Sequence, residues 1–116
     1  MKTTKAQFEA FKASFLKYQE LLGLQSWRIF FKHEKCDGDF ARIFYDLSKC
    51  AAVVTLNSEA SKDEAPFLDP VKHGKHEAIH LLLATLSNLA SRRYVQEREI
   101  DEADERLAIL LTKVIP

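Results

Sequence analysis

His76-Glu77-Ala78-Ile79-His80 is the stretch of this chain whose residue types and spacing could do chemistry. On a helix of about 3.6 residues per turn, positions i and i+4 lie one turn apart on the same face. Two imidazoles placed that way can hold one Zn²⁺ through ring nitrogens at roughly 2.0–2.1 Å, and H-E-x-x-H is a zinc-binding spacing. Glu77 falls on the adjoining flank. From there it can act as a general base on a metal-bound water instead of ligating the metal, so the chemistry implied is hydrolysis.

The pentapeptide opens the apolar run Leu81-Leu82-Leu83-Ala84. A helix from Pro70 or Val71 to about Arg92 would carry it. Because residues 79–89 are apolar nearly all round, this helix is expected to be central and buried. Burying His76, Glu77 and His80 there is costly unless something satisfies them, and a metal would do so.

A catalytic zinc usually takes three protein ligands and leaves a fourth position open. His33 sits at the far end of a strand, where a surface role is expected. His73 lies one turn before His76, but Gly74 leaves the helix start uncertain. The last helix, from about Glu97 or Glu99 to Val114, holds Glu97, Glu99, Asp101, Glu102, Asp104 and Glu105. Taking Ile100, Ala103, Leu107, Leu110, Leu111 and Val114 as its core-facing side, Asp104 projects within roughly 50° of that direction at about 100° per residue. Asp101 and Glu99 lie about 100° off, and Glu102 and Glu105 point nearly away. Glu97 projects well but precedes the helix. Asp104 is therefore the third ligand expected from geometry, and the other acids read as a solvated face.

The rest of the chain has to build the frame. Residues 4–22 carry Phe8, Phe11, Phe15, Tyr18 and Leu22 at three- and four-residue spacing, which predicts a helix with an aromatic core stripe. Thr4 with Gln7 forms a capping box, and Gly23 suits the C-terminal stop. From Trp27 the period becomes two. Strands are expected around Trp27–Lys32, Phe40–Asp46 and Ala51–Asn57, with Asp37-Gly38 as a hairpin turn, giving a three-stranded antiparallel meander. Residues 58–72 are an acidic, Pro-containing loop or short helix. Cys36 and Cys50 fit neither a metal pair nor a disulfide framework and fall at opposite ends of the sheet, so they are expected as free thiols.

At 116 residues the chain is long enough for one core, and the fold class expected is α+β in a single domain. Seventeen basic residues balance seventeen acidic ones, which argues against nonspecific binding to nucleic acid or an anionic membrane. No run approaches the roughly 18 apolar residues of a membrane span and no signal-peptide core is seen, so the expected location is cytoplasmic. Oligomeric state is not readable.

Taken together, these residues resemble the small zincin-like metallopeptidases of bacteriophage genomes, distant relatives of the SprT-type and minimal-gluzincin folds. The likeness runs from about residue 20 to the end. It rests on Leu24-x-x-Trp27-x-Ile29, Ala52-x-Val54-x-Leu56-Asn57, Lys75-His76-Glu77-x-x-His80-Leu81-Leu82-Leu83, Arg93-Tyr94-Val95 and Glu102-Ala103-Asp104-Glu105-x-Leu107. The resemblance implies an acidic third ligand followed by apolar residues three, four and seven positions on. Asp104 with Leu107, Ala108 and Leu111 fits that pattern, with Asp in place of the more usual Glu, and Glu105 is the alternative.

The expected function is zinc-dependent hydrolysis of a peptide bond, with His76, His80 and Asp104 on the metal and Glu77 as base. A protein or peptide substrate would pair with strand Ala51–Asn57 as a sheet edge. Tyr94 is a candidate oxyanion partner, although a packed tyrosine is the simpler reading. The alternatives are a metal-stabilised protein-binding module of phage origin without turnover, and a helical interaction protein in which the motif is incidental.

Overall fold

Helix α1 (Lys5–Leu21) starts and stops where local chemistry demands. Gln7 N–H donates to Thr4 Oγ1 at 3.1 Å and Thr4 N–H donates to Gln7 Oε1 at 2.7 Å, which closes the capping box. Gly23, at φ +74°, ends the helix in the left-handed conformation that glycine adopts without a Cβ penalty. Phe11 and Phe15 are fully buried and Tyr18 nearly so, as the aromatic spacing requires. The structure, a computed structural model, describes residues 1–90 and 96–116, apart from the side chains of Thr85, Leu89 and Val114.

Strands β1 (Arg28–Glu34), β2 (Ala41–Asp46) and β3 (Ala51–Asn57) form one sheet in the order β1-β3-β2. The expected antiparallel meander is not what forms. β1 runs parallel to β3, β2 runs antiparallel to it, and β1 and β2 are not neighbours. The physical reason lies in composition. Ala51-Ala52-Val53-Val54-Thr55-Leu56 carries no charge and is buried over most of its length, which suits the centre of a sheet. β1 and β2 carry Arg28, Lys32, Glu34, Arg42 and Asp46, residues that an edge tolerates. Residues 35–40 therefore cross the end of β3 instead of making a tight hairpin. The buried Asn57 side chain pins that crossing, donating to the carbonyls of Cys36 (2.6 Å) and Asp39 (2.7 Å) and accepting from Cys36 N–H at 3.1 Å. Cys36 and Cys50 are both free and lie at opposite ends of the sheet, Cys36 just past β1 and Cys50 just before β3.

Helix α2 (Pro70–Ala90) lies between α1 and helix α3 (Glu97–Val114) and also touches β2. Its packing on α1 is close. A Cβ built on Gly74 would stand 2.5 Å from the Phe11 carbonyl oxygen. Phe11, Phe15, Tyr18, Ala52, Val54, Leu56, Ala78 and Leu81 make the core, with Ile29, Phe31, Ile43 and Tyr45 of the sheet's inner face packed on it. Residues 58–69 hold a single 3₁₀ turn (Ala65–Phe67) and no longer helix, as Pro66 within them and Pro70 just after them predict. The fold is thus α+β, with a three-stranded mixed sheet and, among the described residues, three α-helices besides that turn. No described helix is long and apolar enough to cross a membrane.

Two helices face the core differently from expectation. α2 is not buried all round: Leu82 is 39% exposed and Leu86 61%. α3 is rotated. Ala108 and Thr112 are buried, whereas Leu107 and Leu110, assigned to the core by periodicity, are 42% and 56% exposed.

Candidate metal centre

Because α2 runs through the middle of the helix layer, its His76 and His80 emerge one turn apart toward α3 and the cleft beside β2. The cleft is about 780 Å³ and is walled by Gly38–Tyr45, by His73, His76, Glu77 and His80 of α2, and by the inner flank of α3. The two imidazole Nε2 atoms are 3.1 Å apart. Glu105 closes the triangle, with Oε1 3.1 Å from His76 Nε2 and Oε2 3.0 Å from His80 Nε2. His76, His80 and Glu105 are thus a group that could hold a metal ion, with one ligand atom from each lying within 4.8 Å of the others.

Asp104, the third ligand expected from periodicity, takes a different place. Its Oδ1 lies 2.9 Å from His80 Nδ1, on the far side of the ring from the triangle. The rotation of α3 accounts for the exchange. With Ala108 and Thr112 rather than the leucines facing the core, Asp104 turns into the α2 contact, where it is 16% exposed, and Glu105 swings into the cleft mouth, where it is 53% exposed.

The electrostatics favour a cation at the triangle. Asp104 draws the His80 proton to Nδ1, which leaves Nε2 as a lone pair aimed at His76 and Glu105. Burial holds the His76 pKa below its ordinary value, with the neighbouring His80 adding to the effect, so a protonated His76 does not readily fill the gap. Two imidazole nitrogens and a carboxylate thus converge on one point, where a divalent ion would be met by all three. Two nitrogens and one oxygen are also the donor set of His₂Glu zinc sites.

Glu77 is 6% exposed and lines the same cleft. Desolvation pushes its carboxyl up from 4.5 to about 7, and the carboxylates of Glu105, Asp39 and Asp104 add to the shift against His80. A carboxyl poised near neutrality can both take up and release a proton.

The remaining expectations fall elsewhere. His73 lines the cleft but stacks on Phe40, with ring centroids 4.6 Å apart, and stays outside the triangle. His33 is half-buried at the end of β1, with Thr3 Oγ1 2.6 Å from its Nε2 and Phe8 stacked on its ring, and lies outside the triangle. Tyr94 and its neighbours 91–95 lie outside the described residues. What the linear reading missed is the role of Asp104 as the residue that orients His80, and the identity of the cleft wall, which is β2 and not β3. The adjacency of Asp104 and Glu105 was the available signal, since two neighbouring acids can reach the two faces of one imidazole. No family model, curated protein or solved structure matches the chain.

Proposed function

We propose that the chain is a zinc-dependent peptidase. The observation that carries this reading is a His76–His80–Glu105 triangle beside a buried Glu77 whose carboxyl sits at about 7, all facing one cleft. Bound there, a zinc ion supplies Lewis acidity and a water acidified toward neutrality. The chain's own groups do the rest. Asp104 orients His80, and Glu77 takes the proton of the attacking water and delivers it to the leaving amine. A binding module that uses metal only for stability would have no need of a base held near neutral pKa.

The sheet order supports one place for a peptide substrate. β3 is central, so the edge beside the site is β2. Asn57 N–H donates to the Phe40 carbonyl, and the alternation of an antiparallel ladder then turns the N–H and C=O groups of Ala41, Ile43 and Tyr45 away from β3, on the cleft side. An extended peptide can pair there as a fourth strand.

The test combines metal analysis with proteolysis. Zinc-reconstituted protein should hold one zinc per chain and cleave an unstructured protein substrate. Glu77→Gln should keep the zinc and lose cleavage by about 10²-fold or more, the scale of general-base catalysis. Failure to retain stoichiometric zinc, or undiminished cleavage by Glu77→Gln, would sink the proposal.

A further inference from the structure

The rotation of α3 that brings Glu105 into the cleft also leaves an apolar face without a partner inside the described fold. Ile100, Ala103, Leu107 and Leu110 recur at three-, four- and three-residue intervals, the a/d spacing of a coiled-coil seam. Ala103, Leu107 and Leu110 are exposed and Ile100 is only half-buried. On the helix this seam stands about 180° from Glu105, so the face that serves the site and the face that is open are opposite sides of one helix. On α2, Leu82 and Leu86 project about 200° and 240° from His80, and their exposure extends the apolar surface over the outer side of the helix layer.

We propose that this face is the contact between two copies of the chain, with their α3 helices packed antiparallel. Charge selects both the occupant and the direction. The outer flank beside the seam carries Glu99, Arg106 and Lys113, all exposed and graded from acidic to basic along the helix, with Lys113 also reaching the rim of the cleft. An antiparallel copy that sets Ile100 against the partner's Leu110 and Ala103 against the partner's Leu107 places Glu99 beside the partner's Lys113 at both ends. Arg106 meets its own copy near the two-fold axis, and on the inner flank so does Asp104, whose carboxylate is turned onto His80. Sliding the pair by one heptad would bring Arg106 against Lys113. A parallel pair would bring Glu99 against Asp104, the residue that holds His80. The first slide sets like charges together, the opposite slide pairs Glu99 with Arg106 but leaves Leu107 and Leu110 without apolar partners, and the parallel pair gives Glu99 no cation; coiled-coil flanks choose their partner and orientation on this ground.

The proposed pairing covers the leucines and meets each cleft only at its rim, at Lys113. It also braces α3, the element that carries Glu105. One helix pair with two flanking leucines falls short of the roughly 800 Å² per partner of a standard interface, so a weak, concentration-dependent dimer is expected.

Sedimentation velocity on the full chain tests this, from about 5 µM to about 500 µM, where a small interface of this kind should pass from mostly single to mostly paired. Leu110→Glu should stay monomeric throughout with an unchanged circular dichroism spectrum. Lys113→Glu should raise the dissociation constant by about fivefold or more, and adding Glu99→Lys to it should restore most of the loss, the gain typical of complementary flanking charges. A chain that stays monomeric at the top concentration overturns the proposal. So does a dimer indifferent to Leu110→Glu. A double charge swap no tighter than Lys113→Glu alone overturns the antiparallel register.

Discussion

Replacing Glu77 by Gln in metal-free protein should change stability in a pH-dependent way. Glu77 is almost wholly buried and its carboxyl is raised from 4.5 to about 7. Between those values the folded chain holds a proton that the unfolded chain has released. Stability therefore falls as pH rises through this window, and the full loss is present above about 7. A shift of roughly 2.5 units at about 1.4 kcal/mol each gives a penalty of about 3 kcal/mol, carried by the parent and absent from the neutral amide. Glu77→Gln should thus match the parent near pH 4.5 and exceed it by about 3 kcal/mol at pH 8. His73 and His76 act in the opposite sense. Burial lowers their pKa values, so the stability they contribute is full above 6.5 and is lost as pH falls below it. Both proteins share that effect, and it cancels in the difference. Urea titrations in chelator at five or six pH values read the difference directly. A difference that stays constant across the range would mean that Glu77 ionises like an exposed carboxylate, and the assignment of a poised base would fail with it.

Three further substitutions probe the frame. Asp104→Asn should weaken zinc binding by about 10–100-fold, the usual cost of losing the carboxylate that orients a ligating histidine, and Glu105→Gln should cost more; competition with a chromogenic chelator measures both. Gly74→Ala should lower stability by about 1–3 kcal/mol, because the new methyl would meet the Phe11 carbonyl oxygen at 2.5 Å and the Phe15 nitrogen at 3.0 Å, backbone atoms that move only if α1 does. A melting temperature equal to the parent's would show that the α1–α2 packing is looser than described. Asn57→Ala should cost about 2–3 kcal/mol by stranding the backbone groups of residues 36 and 39 that it bridges, and amide hydrogen exchange should rise first in residues 35–40.

The features legible along the chain were those set by neighbours in sequence. The Thr4–Gln7 box, the stop at Gly23, the aromatic stripe of α1 and the strand bounds at residues 41–46 and 51–57 each depend on residues within one turn or one strand. The order of the strands does not. Asp37-Gly38 looks like a hairpin turn in isolation, and Gly38 does take φ +84°. Which strand takes the centre is decided instead by the cost of burying charge, and the uncharged β3 takes it. That information lay in the composition of Ala51–Leu56, but only as a comparison among three segments that are not adjacent.

The pair Asp104-Glu105 shows the same limit at the site. Periodicity located the helix and singled out Asp104 among six acids, leaving Glu105 as the alternative of the resemblance alone, because it weighted the leucines and so chose the wrong centre for the helix. A leucine stripe has two ways to be satisfied, inside the fold or against another chain, and a single sequence does not distinguish them. His80 does. Its ring has two nitrogens on opposite sides, and a helix crossing it can present adjacent acids to both only if Ala108 and Thr112 turn inward behind them. The small side chains at 108 and 112 let α3 approach α2 closely enough for that. The constraint that orients α3 is thus the pair of imidazoles on α2 rather than the hydrophobicity of α3. On this argument, exchanging the two acids, Asp104→Glu with Glu105→Asp, should weaken zinc binding more than either single exchange, because each shortened or lengthened arm would then miss its own nitrogen.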